Sequence, residues 1–521
     1  MDMDVTLLRN TLPEFGQEHL LDFWDDLSDE QRQALYTDLA SLDLEDITRV
    51  FQNSMKSSEN SQTKKDDRLE PFPEDMIAAV ACTSDEQLDE WRSIGLELIS
   101  EGKVAVLLLA GGQGTRLGVD YPKGMYSVDL PSGKTLYQLQ AERIRKLEML
   151  AENETEKRGK IVWYIMTSEH TGEKTEEFFS DHGYFGLNPK DVVTFEQGMR
   201  PCMTFDGKVI LDEKWKIARA PDGNGGLYQA VAANGIVDDM KRRGIECMHI
   251  YCVDNILVKM ADPVFIGYCH SKQADCGAKV VQKAFPTEAV GIVCKCDGKY
   301  QVVEYSEITI ETAQKRNLDG RLTFNAGNIC NHYLTVEFME SVIRENESKL
   351  KYHVAKKKIP YVDKSGKRIS PDKPNGVKFE KFVFDVFEFA SNFKLFEVLR
   401  EDEFSPLKNG ITAEKDTPTT ARSALMSLHY RYILQAGGSF RDSGGQVLPL
   451  IPLRRSNSQS SFEVECEISP LLSYAGEGLA KIVRGNWYEP GHHFDVLVSP
   501  VKGNGHLPQP QKKKRKTDEQ K

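Results

Sequence analysis

The sequence predicts an α/β fold, a mostly parallel, Rossmann-like sheet flanked by helices, with smaller N-terminal helical and C-terminal domains. Three observations carry this expectation. Short apolar runs at 104–109, 161–166, 192–195 and 248–253 lack the alternation of half-exposed strands, so they read as strands covered on both faces. Between them, Leu136, Leu139, Ile144, Leu147 and Leu150 recur at approximately helical spacing, as do Leu227, Val231 and Met240 more loosely. Strand, helix, strand in succession implies parallel pairing through right-handed crossovers.

At 521 residues the chain exceeds what one hydrophobic core usually supports, which argues for a large central domain with smaller ones attached. A helical N-terminal region is expected over 1–102, where Ser28 and Gln31 form a capping box ahead of Leu35, Leu39 and Leu42. Its polar stretch 54–68 has little to bury and reads as an exposed loop. The central domain spans 103–400 and a C-terminal domain 401–507, with a linker at 409–420 and a Ser/Gln-rich stretch at 454–461. Residues 508–521 form a basic tail whose run from Lys512 to Lys516 reads as a solvated end or, alternatively, a nuclear import signal.

Composition excludes several classes. Hydrophobic residues at 40% and charged residues at 28% are ordinary globular usage. A net charge of -12 repels a nucleic-acid backbone, so nucleic acid is not an expected partner and any anion site must be a local cluster of cations and N–H groups. The ten scattered cysteines read as reduced thiols. No apolar run is long enough to cross a bilayer and the first residues are acidic, so a cytoplasmic protein that does not engage membranes is expected.

Parallel sheets place ligands at the carboxyl ends of their strands. The runs here are followed by Ala110-Gly111-Gly112, Glu196-Gln197-Gly198 and Asp254-Asn255, all small or polar. The first opens a glycine-rich loop from Leu107 to Lys123. It is not a dinucleotide fingerprint, whose third glycine would fall at Leu117, and Gly133-Lys134-Thr135 is not a P-loop, whose first glycine would fall at Val128. Its glycines let N–H groups approach phosphate oxygens, Arg116 offers a planar fork and Lys123 a point charge, a chemistry suited to a triphosphate. Asp254, just past a strand, can hold Mg²⁺ or cap the next helix. His249, at the edge of an apolar run, reads as a core histidine rather than a base. Cys294 and Cys296 lack the second pair that a zinc site needs.

The stretch 107–126 resembles the nucleotide-binding signature of eukaryotic UDP-N-acetylglucosamine (UDP-N-acetylhexosamine) pyrophosphorylases, within the UDP-sugar pyrophosphorylase family. So do Pro221-Asp222-Gly223-Asn224-Gly225-Gly226-Leu227-Tyr228, Tyr251-Cys252-Val253-Asp254-Asn255, Val303-Glu304-Tyr305-Ser306-Glu307, Phe324-Asn325-Ala326-Gly327-Asn328 and the segment 400–409. The resemblance implies a nucleotidyltransferase in which a sugar 1-phosphate oxygen attacks the α-phosphorus of UTP, releasing pyrophosphate, with Mg²⁺ (or Mn²⁺) as cofactor. The sugar phosphates it implies are N-acetylglucosamine 1-phosphate and N-acetylgalactosamine 1-phosphate. It assigns Arg116, Lys123 and Lys408 to catalysis. It assigns Leu109, Ala110, Gly111, Gly112, Lys123, Gln197, Gly223, Asp254 and Lys378 to the nucleotide, with Gln197 and Gly223 at the uracil. It assigns Asn224, Gly291, Glu304, Tyr305, Asn328 and Lys408 to the sugar phosphate, and Asp254 to the metal. A UDP-glucose or broad-specificity UDP-sugar pyrophosphorylase shares the fold and the lysines, and a non-catalytic nucleotide-sugar-binding protein stays open. The sequence leaves the oligomeric state unspecified.

Overall fold

The computed structural model describes residues 5–60, 65–449 and 464–496. Among them, an 11-stranded sheet forms the centre. Its main path uses β1 (Ile77–Ala79), β2 (Val104–Leu109), β3 (Val162–Thr167), β4 (Val192–Glu196), β5 (Cys247–Cys252), β6 (Cys276–Gln282), β7 (Ala326–Thr335) and β8 (Phe393–Glu397), in the spatial order β1-β8-β6-β7-β5-β2-β3-β4. Every neighbouring pair is parallel except the two made by β7, which runs antiparallel between β5 and β6. The sheet is therefore mostly parallel, as expected, and the start of β7 lies at the edge where the other strands end.

The central strands show no hydrophobic alternation because they have two cores to fill. Ala105, Leu107 and Leu109 enter one core with Leu227, Val231 and Met240, while Val104, Val106 and Leu108 enter the other with Ile144, Leu147 and Phe265. β4 departs from the expected two-sided burial: it is the last strand on its side, and Val192, Val193 and Thr194 are half-buried. On the second face, the helices Asp85–Ser100 and Pro263–Ser271 meet backbone to backbone. A Cβ on Gly267 would stand 1.8 Å from the carbonyl oxygen of Trp91, and one on Gly95 would stand 2.1 Å from that of Pro263.

The N-terminal helices Val5–Glu14, Asp29–Ala40 and Leu44–Asn60 pack on short β-strands rather than on the central sheet. Leu8, Leu12, Trp24, Leu35, Leu39, Ile47 and Val50 share a core with Met203, Leu211, Ile217, Val377 and Phe379. Ser28 and Gln31 form the expected capping box. The expected loop at 54–68 is corrected in its first part: the helix continues to Asn60, because Phe51 and Met55 carry its apolar face onward and Ser54 itself is buried. At the other end the expected linker stops at Thr417, whose side chain caps the helix Pro418–Gln435. That helix packs Leu425, Met426 and Leu428 against Leu136 and Leu139 of the central helix Leu136–Thr155. The Ser-rich stretch and the basic tail lie outside the described residues. Among those described, no helix is long and apolar enough to cross a membrane.

The contact at Gly267 yields a stability prediction. Gly267→Ala forces two helices apart against a packed core, and its urea midpoint is expected to fall by the equivalent of about 1–3 kcal/mol with the slope unchanged. An unchanged midpoint would mean that the helices separate freely.

Candidate active site at the carboxyl edge of the sheet

Parallel pairing sets Leu109 beside Cys252, so the loops leaving β2 and β5 start at the same level. The N–H of Ala110 still donates to the carbonyl of Met166 at 2.8 Å, and Ser168 Oγ donates to the carbonyl of Gly111 at 3.0 Å. Gly112 is exposed, and Gly114 closes the loop by donating to Tyr121 at 3.2 Å. Beyond the closure, Lys123 Nζ stands 3.8 Å from Asp254 Oδ2, both side chains largely buried. A lysine from the glycine loop and the carboxylate after β5 thus meet at one point.

Gln197 follows β4, is buried, and holds its place by donating its N–H to the carbonyl of Thr167 at 2.9 Å. Its side-chain Nε2 lies 2.9 Å from where a Cβ on Gly111 would stand, so the two candidate nucleotide residues are in contact. Gly223 needs its missing side chain: φ is +86°, and a Cβ would stand 2.4 Å from the carbonyl oxygen of Lys381. That close approach brings the strand Gly376–Glu380, which carries Lys378, up to the nucleotide side. Val377 and Phe379 face the N-terminal core, so Lys378 is on the opposite face of its strand. Arg116 is exposed on the turn Thr115–Leu117, and its carbonyl oxygen is 3.2 Å from the Cβ position of Gly410.

A second group gathers around the start of β7. Asn328 donates its N–H to the carbonyl of Gly291 at 2.9 Å, and the Cβ position of Gly291 is 3.1 Å from Glu304 Oε1. Burial, then the neighbouring Glu307, raises the carboxyl pKa of Glu304 above its usual range, against the pull of His353, Lys408 and Lys283. Lys408 lies within electrostatic reach of both Glu304 and Cys252. Asn328 Oδ1 accepts from the N–H of Cys330 and pairs with His332 Nε2, each at 3.1 Å, pinning a bulge where Cys330 has φ of +54°. Asn224 Oδ1 accepts the N–H of Val383 at 3.0 Å, which leaves its amide donor and one lone pair of Oδ1 for a ligand. Tyr305 is 49% exposed at the head of its turn.

Two residues that sequence reasoning passed over belong to this neighbourhood. Lys283 is buried, donates to the carbonyl of Pro286 at 3.1 Å, and has its pKa lowered by burial. Asp222 lies within a motif already singled out by resemblance, yet drew no role. Burial raises its pKa from 3.8 to about 6 against the pull of Arg200, and its Oδ1 has no hydrogen-bond partner among the described residues. His249 is a core histidine: it is fully buried, accepts the N–H of Ala261 at 2.9 Å through Nδ1, and burial lowers its pKa to about 3.

For a divalent cation, Asp254 is the carboxylate at the loop. Mg²⁺ takes one or two carboxylates and completes its shell with phosphate oxygens and water, so this donor set fits an ion that arrives with a triphosphate. The glycine loop, the carboxylate after β5 and the cations around them define an α/β nucleotidyltransferase site. The chain belongs to the UTP–glucose-1-phosphate uridylyltransferase family, whose model matches residues 44–471. It is 55% identical over 482 residues to "UDP-N-acetylhexosamine pyrophosphorylase-like protein 1" of Xenopus tropicalis, covering 91% of this chain and 93% of that protein. It is 41% identical over 485 residues to "UDP-N-acetylglucosamine diphosphorylase 2" of Arabidopsis thaliana, covering 92% and 91% respectively. The crystal structure of the uridine diphosphate N-acetylglucosamine pyrophosphorylase from Trypanosoma brucei superposes with a TM-score of 0.77 at 30% identity, covering 92% of this chain and 94% of that one.

Asp222 gives the site a pH signature. A carboxyl raised from 3.8 to about 6 disfavours folding progressively as pH rises through that window, and the full cost persists above it. Asp222→Asn, neutral throughout, is therefore expected to be more stable than the parent at pH 8, with the advantage shrinking toward pH 5. Urea midpoints at the two pH values check this; an advantage that grows on acidification would contradict it.

Proposed function

We propose that the chain is a uridylyltransferase that makes UDP-N-acetylglucosamine, and UDP-N-acetylgalactosamine, from UTP and the corresponding N-acetylhexosamine 1-phosphate. An oxygen of the sugar phosphate attacks the α-phosphorus, the bond to the β-phosphate oxygen breaks, and pyrophosphate leaves. The nucleophile is already an anion at neutral pH, so no base is required and the work is positioning and charge neutralisation. This reading sets the uracil against Gln197 and Gly223 and the triphosphate along 109–112 and Lys378. It sets Arg116 and Lys123 on the phosphoryl group under attack, and the sugar phosphate at Lys408.

The acetamido and hydroxyl groups of the sugar then meet Asn224, Gly291, Glu304, Tyr305 and Asn328, where a carboxylate accepts from hydroxyls and an amide pairs with an amide. Asp254 pairs with Lys123 and would hold Mg²⁺ or Mn²⁺. Such an ion, when bound, neutralises phosphate charge. The reading carries with it a cytoplasmic setting. The observation that supports it most directly is the approach of Lys123 to Asp254 at 3.8 Å beside the glycine loop. The names of relatives at 55% and 41% identity support the choice of an N-acetylated sugar.

Two measurements test the proposal. In a pyrophosphate-release assay with UTP and Mg²⁺, the two N-acetylhexosamine 1-phosphates are expected to turn over faster than glucose 1-phosphate; a preference for glucose would overturn the substrate assignment. Lys123→Ala is expected to keep the parent's melting transition while turnover drops on the order of 10²–10³-fold. Undiminished turnover would remove Lys123 from the chemistry.

A further inference from the structure

Lys279, in the middle of β6, is fully buried, and its Nζ donates to Asp262 Oδ2 and to Glu403 Oε2, each at 2.5 Å. Lys259 Nζ stands 3.5 Å from the other oxygen of Glu403. Asp262 also accepts the N–H of Val264 at 3.1 Å, capping the helix Pro263–Ser271. Two lysines and two carboxylates thus form a neutral set inside the protein.

Glu403 ends the short helix Arg400–Glu403, and its main chain continues the connection. Its carbonyl accepts from Asn255 Nδ2 at 2.7 Å, and Asn255 Oδ1 accepts the N–H of Ser405 at 3.0 Å. Ile256 then donates its N–H to the carbonyl of Ser405 at 3.3 Å, and Leu407 donates to the carbonyl of Asp254 at 2.8 Å. Residues 403–407 are zipped onto 254–256, the turn that carries the carboxylate next to Lys123. Lys408 leaves the zip one residue further on.

Stability alone gives no reason for this construction. A buried ion set is often matched or bettered by apolar side chains of similar volume, although removing one partner alone is strongly destabilising. What apolar packing lacks is direction: four charges with short hydrogen bonds fix the height of Glu403 above β6, and through Asn255 the distance of the following residues from Asp254. We infer that Glu403, clamped by Lys279, and Asn255 are positioning residues that set Lys408 for the sugar 1-phosphate. This rests on the reading of Lys408 as the ligand of that phosphate.

The test is the double variant Lys279→Met/Glu403→Leu in the full chain, which removes one charge of each sign and leaves Lys259 with Asp262. It is expected to keep a cooperative melting transition and its KM for UTP, and to raise KM for N-acetylglucosamine 1-phosphate on the order of tenfold to hundredfold. Asn255→Ala, which leaves all four charges in place and cuts only the link from Glu403 to Ser405, is expected to show the same one-sided change if the double variant folds poorly. Lys408→Ala provides the reference and should raise the same KM. If Lys408→Ala leaves that KM unchanged, the reading of Lys408 falls, and the inference with it. If Lys408→Ala raises it while both network variants match the parent, or raise both KM values together, the inference alone is overturned.

Discussion

Val104 pairs with Cys247 and Leu109 with Cys252, and the register between them is unbroken. A shift by one residue would exchange Leu107 with Val106 or Leu108 between two separate cores, so both faces of the sheet oppose it. The end of β2 is thereby held level with the end of β5. The candidate site inherits that level: the glycine loop begins there, Asp254 begins there, and the residues after β8 are sewn to the turn that carries Asp254.

Around this edge the polar groups sort into two depths. Those closest to the candidate ligands are few and reach over backbone that glycines keep low, as at Gly223 against Lys381. Those beneath are buried and paired with one another: His249 with Asn331 and the N–H of Ala261, and Lys279 with two carboxylates. Polar groups removed from water are expensive unless paired, so such a layer is held to few geometries. The groups nearest the candidate ligands gain fixed positions from it.

This layering also explains what could be read in the sequence. The four parallel strands β2 to β5 were legible because their residues are almost all apolar, and the residues that follow them pointed to the glycine loop, Gln197 and Asp254. β6 and β7 were not: Lys279, Asn328, Asn331 and His332 interrupt their apolar runs, and the partners of Lys279 and Asn331 lie on other elements. The meeting of Lys123 with Asp254 was implied by adjacent strand ends, although its distance was not. Gly291, Glu304 and Asn328 came from resemblance alone, since no spacing in one chain announces that a hairpin and a strand will fold onto each other. Asp222 escaped because a carboxylate inside a glycine-rich turn reads as turn chemistry until its burial is known.

The antiparallel strand β7 returns beside β6, with Ala326 paired to Gln282. Everything between them, including Gly291, the strands Ile292–Cys296 and Lys299–Val303, and Glu304, leaves and re-enters the sheet through one doorway. Its strands pair with Leu69, Glu70 and Gly327 but with neither β2 nor β5, so its length and contents can change without disturbing the register beneath the glycine loop. Gly291, Glu304 and Tyr305, the residues proposed for the sugar that it carries, therefore form a cassette, one that descent can exchange while the nucleotide half stays as it is.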